Sequence, residues 1–490
     1  MTGRGPTMAV MTFVLLTLLS PCTTAAVDGA PLSEYVSPAG IYTYRTSGSS
    51  PVDYASEVFG LSGCQGVVWV QSALEGYPLR TVTGLSGCLA TGLVIPSSVA
   101  SISDTAFQDC VCLERLYFLG DRPSMGDSAI PDGVMAFALE GTAGWSPRTG
   151  VLDLGEWGDE DSCLSYYVID GQATIHGLVS GTNITIPSQI YGTPVISIGA
   201  EAFMGAGIRS LTMEEGVDTI GVRAFYDCET LMTVELPETL RTVCDEAFRH
   251  DVLLADVDLK RIEFIGFESF RMCHSFTEIV IPDTVSRLCG GAFYVCDKAV
   301  KVVVGSGVSV VEERAFGYGS ALATLIIKGR VAVVGPSAFY ACRSLPAISL
   351  RYAMEIGAYA FYDAASLESI ELGDGLSLIG EGAFWGCGSL KDVRVPDSVI
   401  SIGRSAFSEC SSLSDIHFEG DMPWMGEDVF YGTDVTVHYQ KDHGASWQEY
   451  DGDKVEDQGS GAEIMIAAVS LTSVALIMLA VRIRKGGRQG

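Results

Sequence analysis

Apolar positions in this chain recur on a long and regular beat. The pair Ala-Phe, or its equivalent, returns at Phe203, Phe225, Phe248, Phe270, Phe293, Phe316, Phe339, Phe361, Phe384, Phe407 and Phe430, and every step is 22 or 23 residues. A fixed period of this size marks a solenoid, in which each coil buries its apolar side only against its neighbours. Within a coil the period changes. Nine and eleven residues after the phenylalanine stand paired apolars: Val234/Leu236, Ile279/Ile281, Val302/Val304, Leu325/Ile327, Ile370/Leu372 and Val393/Val395. That alternation predicts a short strand with these side chains inward. Pro237, Pro282 and Pro396 close three such strands, because proline cannot extend a ladder. Five residues before the phenylalanine another aliphatic recurs, as at Ile198, Ile220, Ile265, Val311, Ile356, Ile379 and Ile402. The glycine that mostly follows it is read as a tight bend. The Ala-Phe-x-x-Cys stretch is read as one helical or 3₁₀ turn.

A weaker block precedes the main array. It has Ile95-Pro96, Val99, Ile102, Ala106-Phe107 and Cys110, and Gly60-Leu61-Ser62-Gly63-Cys64 returns as Gly84-Leu85-Ser86-Gly87-Cys88. Each block ends in a similar segment: Asp121-Arg122-Pro123 through Trp145, and Asp421-Met422-Pro423 through Trp447. Both are expected to cover the last exposed core face. The reading is therefore two stacked arrays, a short degenerate one with its cap at 27–150 and a long one with its cap at 165–450, joined by a linker at 151–164. The unit Val395-Pro396-x-x-Val399-x-x-Ile402-Gly403-x-x-Ala406-Phe407-x-x-Cys410 resembles the BspA-like leucine-rich repeat family, most strongly over 165–450. The resemblance implies a leucine-rich-repeat solenoid, with a short parallel strand plus a turn, 3₁₀ segment or short helix per coil. It also implies a surface protein working in adhesion or partner binding.

The two ends address location. Met8 to Leu19 is a short apolar run after Arg4, and Thr24-Ala25-Ala26 offers small residues for cleavage, so residues 1–26 read as a secretory signal peptide. Ile464 to Val481 holds 18 uncharged residues, followed by Arg482, Arg484, Lys485 and Arg488. That pattern predicts a transmembrane helix at 464–481 with a basic cytoplasmic tail at 482–490. Residues 451–463, polar and glycine-containing, read as a stalk. The expectation is a single-pass type I protein of the plasma membrane with its repeats outside.

Composition narrows the function. The chain of 490 residues carries 60 acidic against 30 basic side chains, a formal net charge of −30, which argues against nucleic acid as a partner. No His-Glu-x-x-His, Gly-x-Ser-x-Gly or Gly-Lys-Ser/Thr motif occurs, and the six histidines are scattered, so the expectation is a non-enzyme with no cofactor and no metal. Seven cysteines sit three residues after a repeat phenylalanine: Cys110, Cys228, Cys273, Cys296, Cys342, Cys387 and Cys410. Ala206, Gly319, Ala364 and Thr433 hold the same slot elsewhere, so it asks for small volume and the thiols read as small hydrophobes. Coil-to-coil disulfides are the alternative, at Cys273–Cys296, Cys387–Cys410 or Cys64–Cys88. Asn183, the chain's single asparagine, begins its one glycosylation sequon.

Two surfaces are candidates for ligand. Val280, Val303 and Ile326 fall at outward strand positions on three successive coils, and contiguous exposed apolar surface marks contact sites. Tyr340, Tyr362 and Trp385 each follow a repeat phenylalanine on consecutive coils and suit protein or sugar contacts. The function expected is binding of an extracellular protein or glycan through the solenoid surface. The other class left open is a structural envelope protein that packs laterally with its neighbours.

Overall fold

The computed structural model describes residues 33–464 apart from 38–39, 48–54, 76, 127, 147–148, 159–160, 441–442, 449–454 and 458–462. The signal segment and all of the 464–481 run except Ile464 lie outside these residues. Among the described residues no helix is long and apolar enough to cross a membrane. Strand and turn make up nearly everything; the α-helix assigned among them is the four-residue Gly444–Trp447.

The chain divides into two compact units between Cys273 and His274. In the first, Ser33–Ser37, Gly40–Ser47 and Ala55–Ser62 form an antiparallel start, and parallel pairing begins where Ala55–Ser62 meets Tyr77–Ser86. A second sheet stacks Gln65–Trp69, Leu89–Ile95, Arg115–Phe118, Met135–Leu139 and Gly150–Leu152 in parallel. The stretch expected to link two arrays is itself sheet. Gly155–Gly158 pairs antiparallel with Cys163–Ile169, and Leu152 packs with Tyr117, Leu139, Tyr167 and Ile169 in one core cluster. Apolar side chains on both sides of 151–164 draw the two repeat blocks together, so the boundary between compact units falls elsewhere. The two closing segments match in detail: Trp145 Nε1 donates to Gly120 O at 3.2 Å and its ring lies 4.5 Å from Phe118, while Trp447 Nε1 donates to Gly420 O at 3.3 Å with its ring 4.6 Å from Phe418.

The second unit shows the coil at its plainest. The predicted strands form, with Glu278–Val280, Lys301–Val304 and Thr324–Ile327 in one parallel sheet, Ala347–Leu350 with Ser369–Leu372 in another, and Asp392–Val395, Asp415–Phe418 and Thr436–Tyr439 in a third. A second column of two-residue strands, from Val310–Val311 through Trp424–Met425, pairs without interruption. The sheet breaks after Thr324–Ile327 and again after Ser369–Leu372, and the first break coincides with a shortened coil. From Ile348 to Gly357 the chain takes one residue fewer than from Leu325 to Gly335 or Val393 to Gly403, so the turn after the Ala347–Leu350 strand is shortened. The first unit repeats the correlation: Val257 to Gly266 is short by the same residue, and the Thr233–Glu235 strand ends its sheet there.

Between coils the phenylalanines stack. Phe339, Phe361 and Phe384 are fully buried with successive centroids 5.3 and 5.4 Å apart and nearly coplanar rings. Around them the backbone is neither α nor 3₁₀. Two residues before and two after the phenylalanine, φ is positive, and mostly at non-glycine residues such as Tyr359 (57°) and Asp363 (57°). Alternating left- and right-handed residues turn successive amides in opposite directions. Tyr359, Phe361 and Asp363 donate forward to the carbonyls of Glu381, Ala383 and Trp385 at 2.7–2.8 Å, while Ala360, Tyr362 and Ala364 bond within their own turn. A helical turn would leave the forward bonds unmade, which is why the expected helical segment is absent.

The recurrent glycine also has a different reason from the expected bend. Gly380, Gly403 and Gly426 have no positive φ; a Cβ on each would sit 2.4–2.5 Å from a backbone nitrogen of the preceding coil. The residue is fixed by close approach of two backbones.

Candidate functional site

On the second unit the aromatic stripe is a continuous column. Tyr340 and Tyr362 stack at 4.7 Å and 3°, and Tyr362 and Trp385 at 4.4 Å and 10°. Tyr318 adds to it, 5.1 Å from Tyr340, with Tyr294 edge-on to Tyr318 at 5.5 Å. Tyr318 escaped the sequence reading because it stands two residues after Phe316 instead of one; its φ of 60° carries the ring into line. Tyr340, Tyr362 and Trp385 are half-buried, and Arg343 pairs with Asp363 beside them, Nε to Oδ2 at 2.7 Å. Burial first, then the neighbouring phenols, raises the Tyr340 hydroxyl above its ordinary pKa. Both faces of Tyr362 are covered by its neighbours, so the column presents ring edges and hydroxyls.

The strand-side residues Val280, Val303 and Ile326 pair in register as predicted. They do not form one exposed patch. Val280 and Ile326 are 45% and 43% exposed, but Val303, pressed between their strands, is only 7% exposed. A cleft of about 290 Å³ opens instead beside this sheet, at the break, with Leu325, Ile327, Ile348 and Leu350 on its apolar lining and Lys328 and Arg351 among its polar groups. Arg330 lies over the Tyr352 ring, 5.2 Å from its centroid. The two cations that line the cleft are both ion-paired, Lys328 with Asp283 at 3.7 Å and Arg351 with Glu371 at 3.0 Å.

The cysteine slot does more than save space. Cys342, Cys387 and Cys410 each donate Sγ–H to the carbonyl of the phenylalanine one coil back, at 3.4, 3.3 and 3.2 Å, and Thr433 does the same with Oγ1 at 2.8 Å. Cys273 likewise reaches Phe248 O at 3.1 Å, and Cys296 is buried in the second unit. Cys64 and Cys88, both buried, bring their sulfurs to 3.4 Å. Burial pushes the Cys342 and Cys410 thiols up to about 12, which suppresses thiolate. Iodoacetamide applied to native protein at mildly alkaline pH should therefore label exposed Cys112 first and leave Cys342, Cys387 and Cys410 untouched until unfolding, as peptide mass mapping would show.

Asp251 occupies this slot with a carboxylate. Its Oδ1 accepts from Cys228 N at 2.8 Å, while its buried Oδ2 has no hydrogen-bond partner. Burial pushes its pKa well above the usual carboxylate range. The folded state then holds the proton more tightly than the unfolded one, so stability falls as pH rises from the ordinary carboxylate pKa through the raised one. Asp251→Thr, which copies the two bonds of Thr433 (Cys410 N to Oγ1 at 3.0 Å, Oγ1 to Phe407 O), should stabilise by about 1–2 kcal/mol at pH 7. In urea melts that gain should shrink on acidification.

Other chemistry-bearing groups gather without the sequence showing it. Asp227, Glu229 and His250 bring possible ligand atoms within 4.8 Å of one another, with His250 Nδ1 2.5 Å from Asp227 Oδ1. Their registers, two and four residues past one phenylalanine and two past the next, meet only once the coils stack. His417 and His438 face each other across paired strands at 4.4 Å, and burial and the second imidazole lower the His417 pKa. Asn183 is exposed at the start of its strand and accepts from Ser210 Oγ at 2.9 Å.

Coils of 22 or 23 residues, each giving a short parallel strand and a phenylalanine to a shared core, define a leucine-rich-repeat protein. The BspA type leucine-rich repeat region is matched at residues 84–131, 177–262, 196–323, 263–355 and 333–443, and the chain belongs to that family. Among solved structures, a leucine-rich repeat protein of T. pallidum is 28% identical, with 37% of this chain and 88% of that one covered and a TM-score of 0.36. A leucine-rich cell surface protein of Faecalibacterium prausnitzii is 22% identical, with 65% and 97% covered and a TM-score of 0.40. No curated protein matches the sequence.

Proposed function

We propose that the chain is a binding protein of the cell exterior whose repeats engage an extracellular protein, with the aromatic column of the second unit at the centre of contact. The single observation that carries this reading is the ordered stack from Tyr318 to Trp385. Tyrosine, tryptophan and arginine supply most hot-spot energy in protein interfaces, and rings already locked against one another lose little freedom on binding. Stacking also separates protein from glycan as ligand. Sugars pack on aromatic faces, and here the inner faces are taken up by neighbouring rings, so edges and hydroxyls remain for a protein surface. Display outside the cell rests on the signal-like residues 1–26 and on the apolar run at 464–481 with its trailing cations.

The test is binding of cells displaying the full chain to immobilised matrix proteins and glycans, against the triple change Tyr340→Ser, Tyr362→Ser and Trp385→Ser. Losing three such anchors should weaken protein adhesion by at least about tenfold, with thermal melting reporting an intact fold. Adhesion unchanged in the triple variant would remove this face, and adhesion to glycans alone would replace the protein ligand.

A further inference from the structure

The first break in the strand column of the second unit leaves more than a missing ladder. Among the described residues no backbone hydrogen bond joins Thr324–Ile327 to Ala347–Leu350. Across the second break the strands still run side by side and Lys391 reaches Glu368, Nζ to Oε2 at 2.7 Å, whereas across the first they diverge. Side chains on either rim bond away from the opening, Lys328 back to Asp283 and Ser349 and Arg351 forward to Glu371. Ser344 Oγ, donating to Ser320 O at 2.7 Å, stands at one end, and Arg330, over the Tyr352 ring, at the other. The cleft between them is a short slot. Its floor is core: Leu325 and Ile327 are only half-buried where Val302 and Val304, their equivalents one coil back, are buried, and Ile348 and Leu350 complete the lining.

Backbone groups decide what fits. Thr324 and Lys328 donate to Val300 and Val304 one coil back, and Glu368 donates to Pro346 from one coil ahead. Strand alternation then turns the N–H and C=O of Leu325 and Ile327 toward the slot from one side, and those of Ala347 and Ser349 from the other. An open ladder edge is a template for pairing, and an extended peptide carries donors and acceptors for two of them at once. The volume, about 290 Å³, falls just below the usual range for small-molecule pockets, about 300–1,000 Å³, and suits a side chain of such a strand. Charge agrees: both cations lining the slot already hold a carboxylate, so an uncharged guest is favoured. We propose that the break receives a short, uncharged, extended segment of a protein partner, whose backbone bonds to both edges and whose inward apolar side chain covers Leu325, Ile327, Ile348 and Leu350. The site shares no residue with the aromatic column and is tested without it.

The probe is the blocked pentapeptide acetyl-Thr-Val-Ile-Val-Thr-amide, titrated into the full-length protein, with amide hydrogen exchange followed by mass spectrometry. Saturable slowing of exchange is expected in the segments 323–329 and 345–352. A copy N-methylated at the isoleucine and at the valine after it keeps the side chains but loses one donor toward each edge, and should bind about tenfold more weakly or worse. Ser349→Pro removes a donor that no carbonyl of the neighbouring coil takes, and proline is tolerated at a strand edge. It should weaken the unmethylated peptide by about three- to tenfold and leave thermal melting unchanged. Absence of saturable slowing in these segments, or equal slowing by the two peptides, would overturn the proposal. Should Ser349→Pro fail to fold, the comparison of the two peptides on the unaltered chain decides alone.

Discussion

Replacing Phe361 with alanine should lower the stability of the second unit by about 3–5 kcal/mol. The ring is fully buried and lies between Phe339 and Phe384, so its loss removes two stacking contacts as well as its own transfer from water. The cavity cannot collapse easily, because the flanking coils are held at fixed separation by the forward bonds of Tyr359, Phe361 and Asp363. Urea unfolding of the variant, followed by circular dichroism, measures the loss. A change under about 1 kcal/mol would mean that the column is ornamental to stability, contrary to the burial. Phe361→Leu, which keeps most of the volume, should recover more than half of the difference.

Gly403→Ala should cost about 3 kcal/mol, an unusually large effect for one methyl group. Its Cβ would lie 2.4 Å from Glu381 N and 2.6 Å from Gly380 C, and both obstacles are backbone that cannot rotate away. Gly375→Ala is the control: nothing lies within 4 Å of its Cβ position, so the loss of unfolded-chain freedom should leave stability unchanged or raised by about 0.5 kcal/mol. Equal effects at the two sites would show that bending, and not approach, sets the requirement for glycine. Both variants are read from the same denaturation curves.

The repeat was plain in the sequence because its cause is local and repeated. A phenylalanine that must face its copy one coil away has to return at a constant interval, and strand alternation then places Val393 and Val395 inward without ambiguity. Position within the coil was harder where two coils decide jointly. Gly380 and Gly403 looked like turn residues, since sequence shows a glycine's freedom but not the carbonyl or amide pressing on it. Val303 looked as open as Val280 and Ile326, though its two neighbours cover it. Residues 151–164 read as a linker because short acidic and glycine-rich stretches usually are; Leu152 and Trp157 were the contrary signal. In the candidate site, three of the stacked aromatics were legible from spacing, while Tyr318 depended on a left-handed backbone that propensity does not predict for tyrosine.

Those forward-pointing amides give the stack a polarity. Through the second unit each turn hands its hydrogens to the next, down to Ser405, Phe407 and Glu409 donating to Glu427, Val429 and Tyr431. A cut between any two coils would expose a row of donors on one new end and a row of acceptors on the other, and buried rows of either kind must be answered. The two ends of such an array are therefore chemically unlike, and a lid made for one would not seal the other. Copies of a coil inserted in the interior meet the same partners as the originals, so an array of this kind can lengthen from within while its extremities stay as they were.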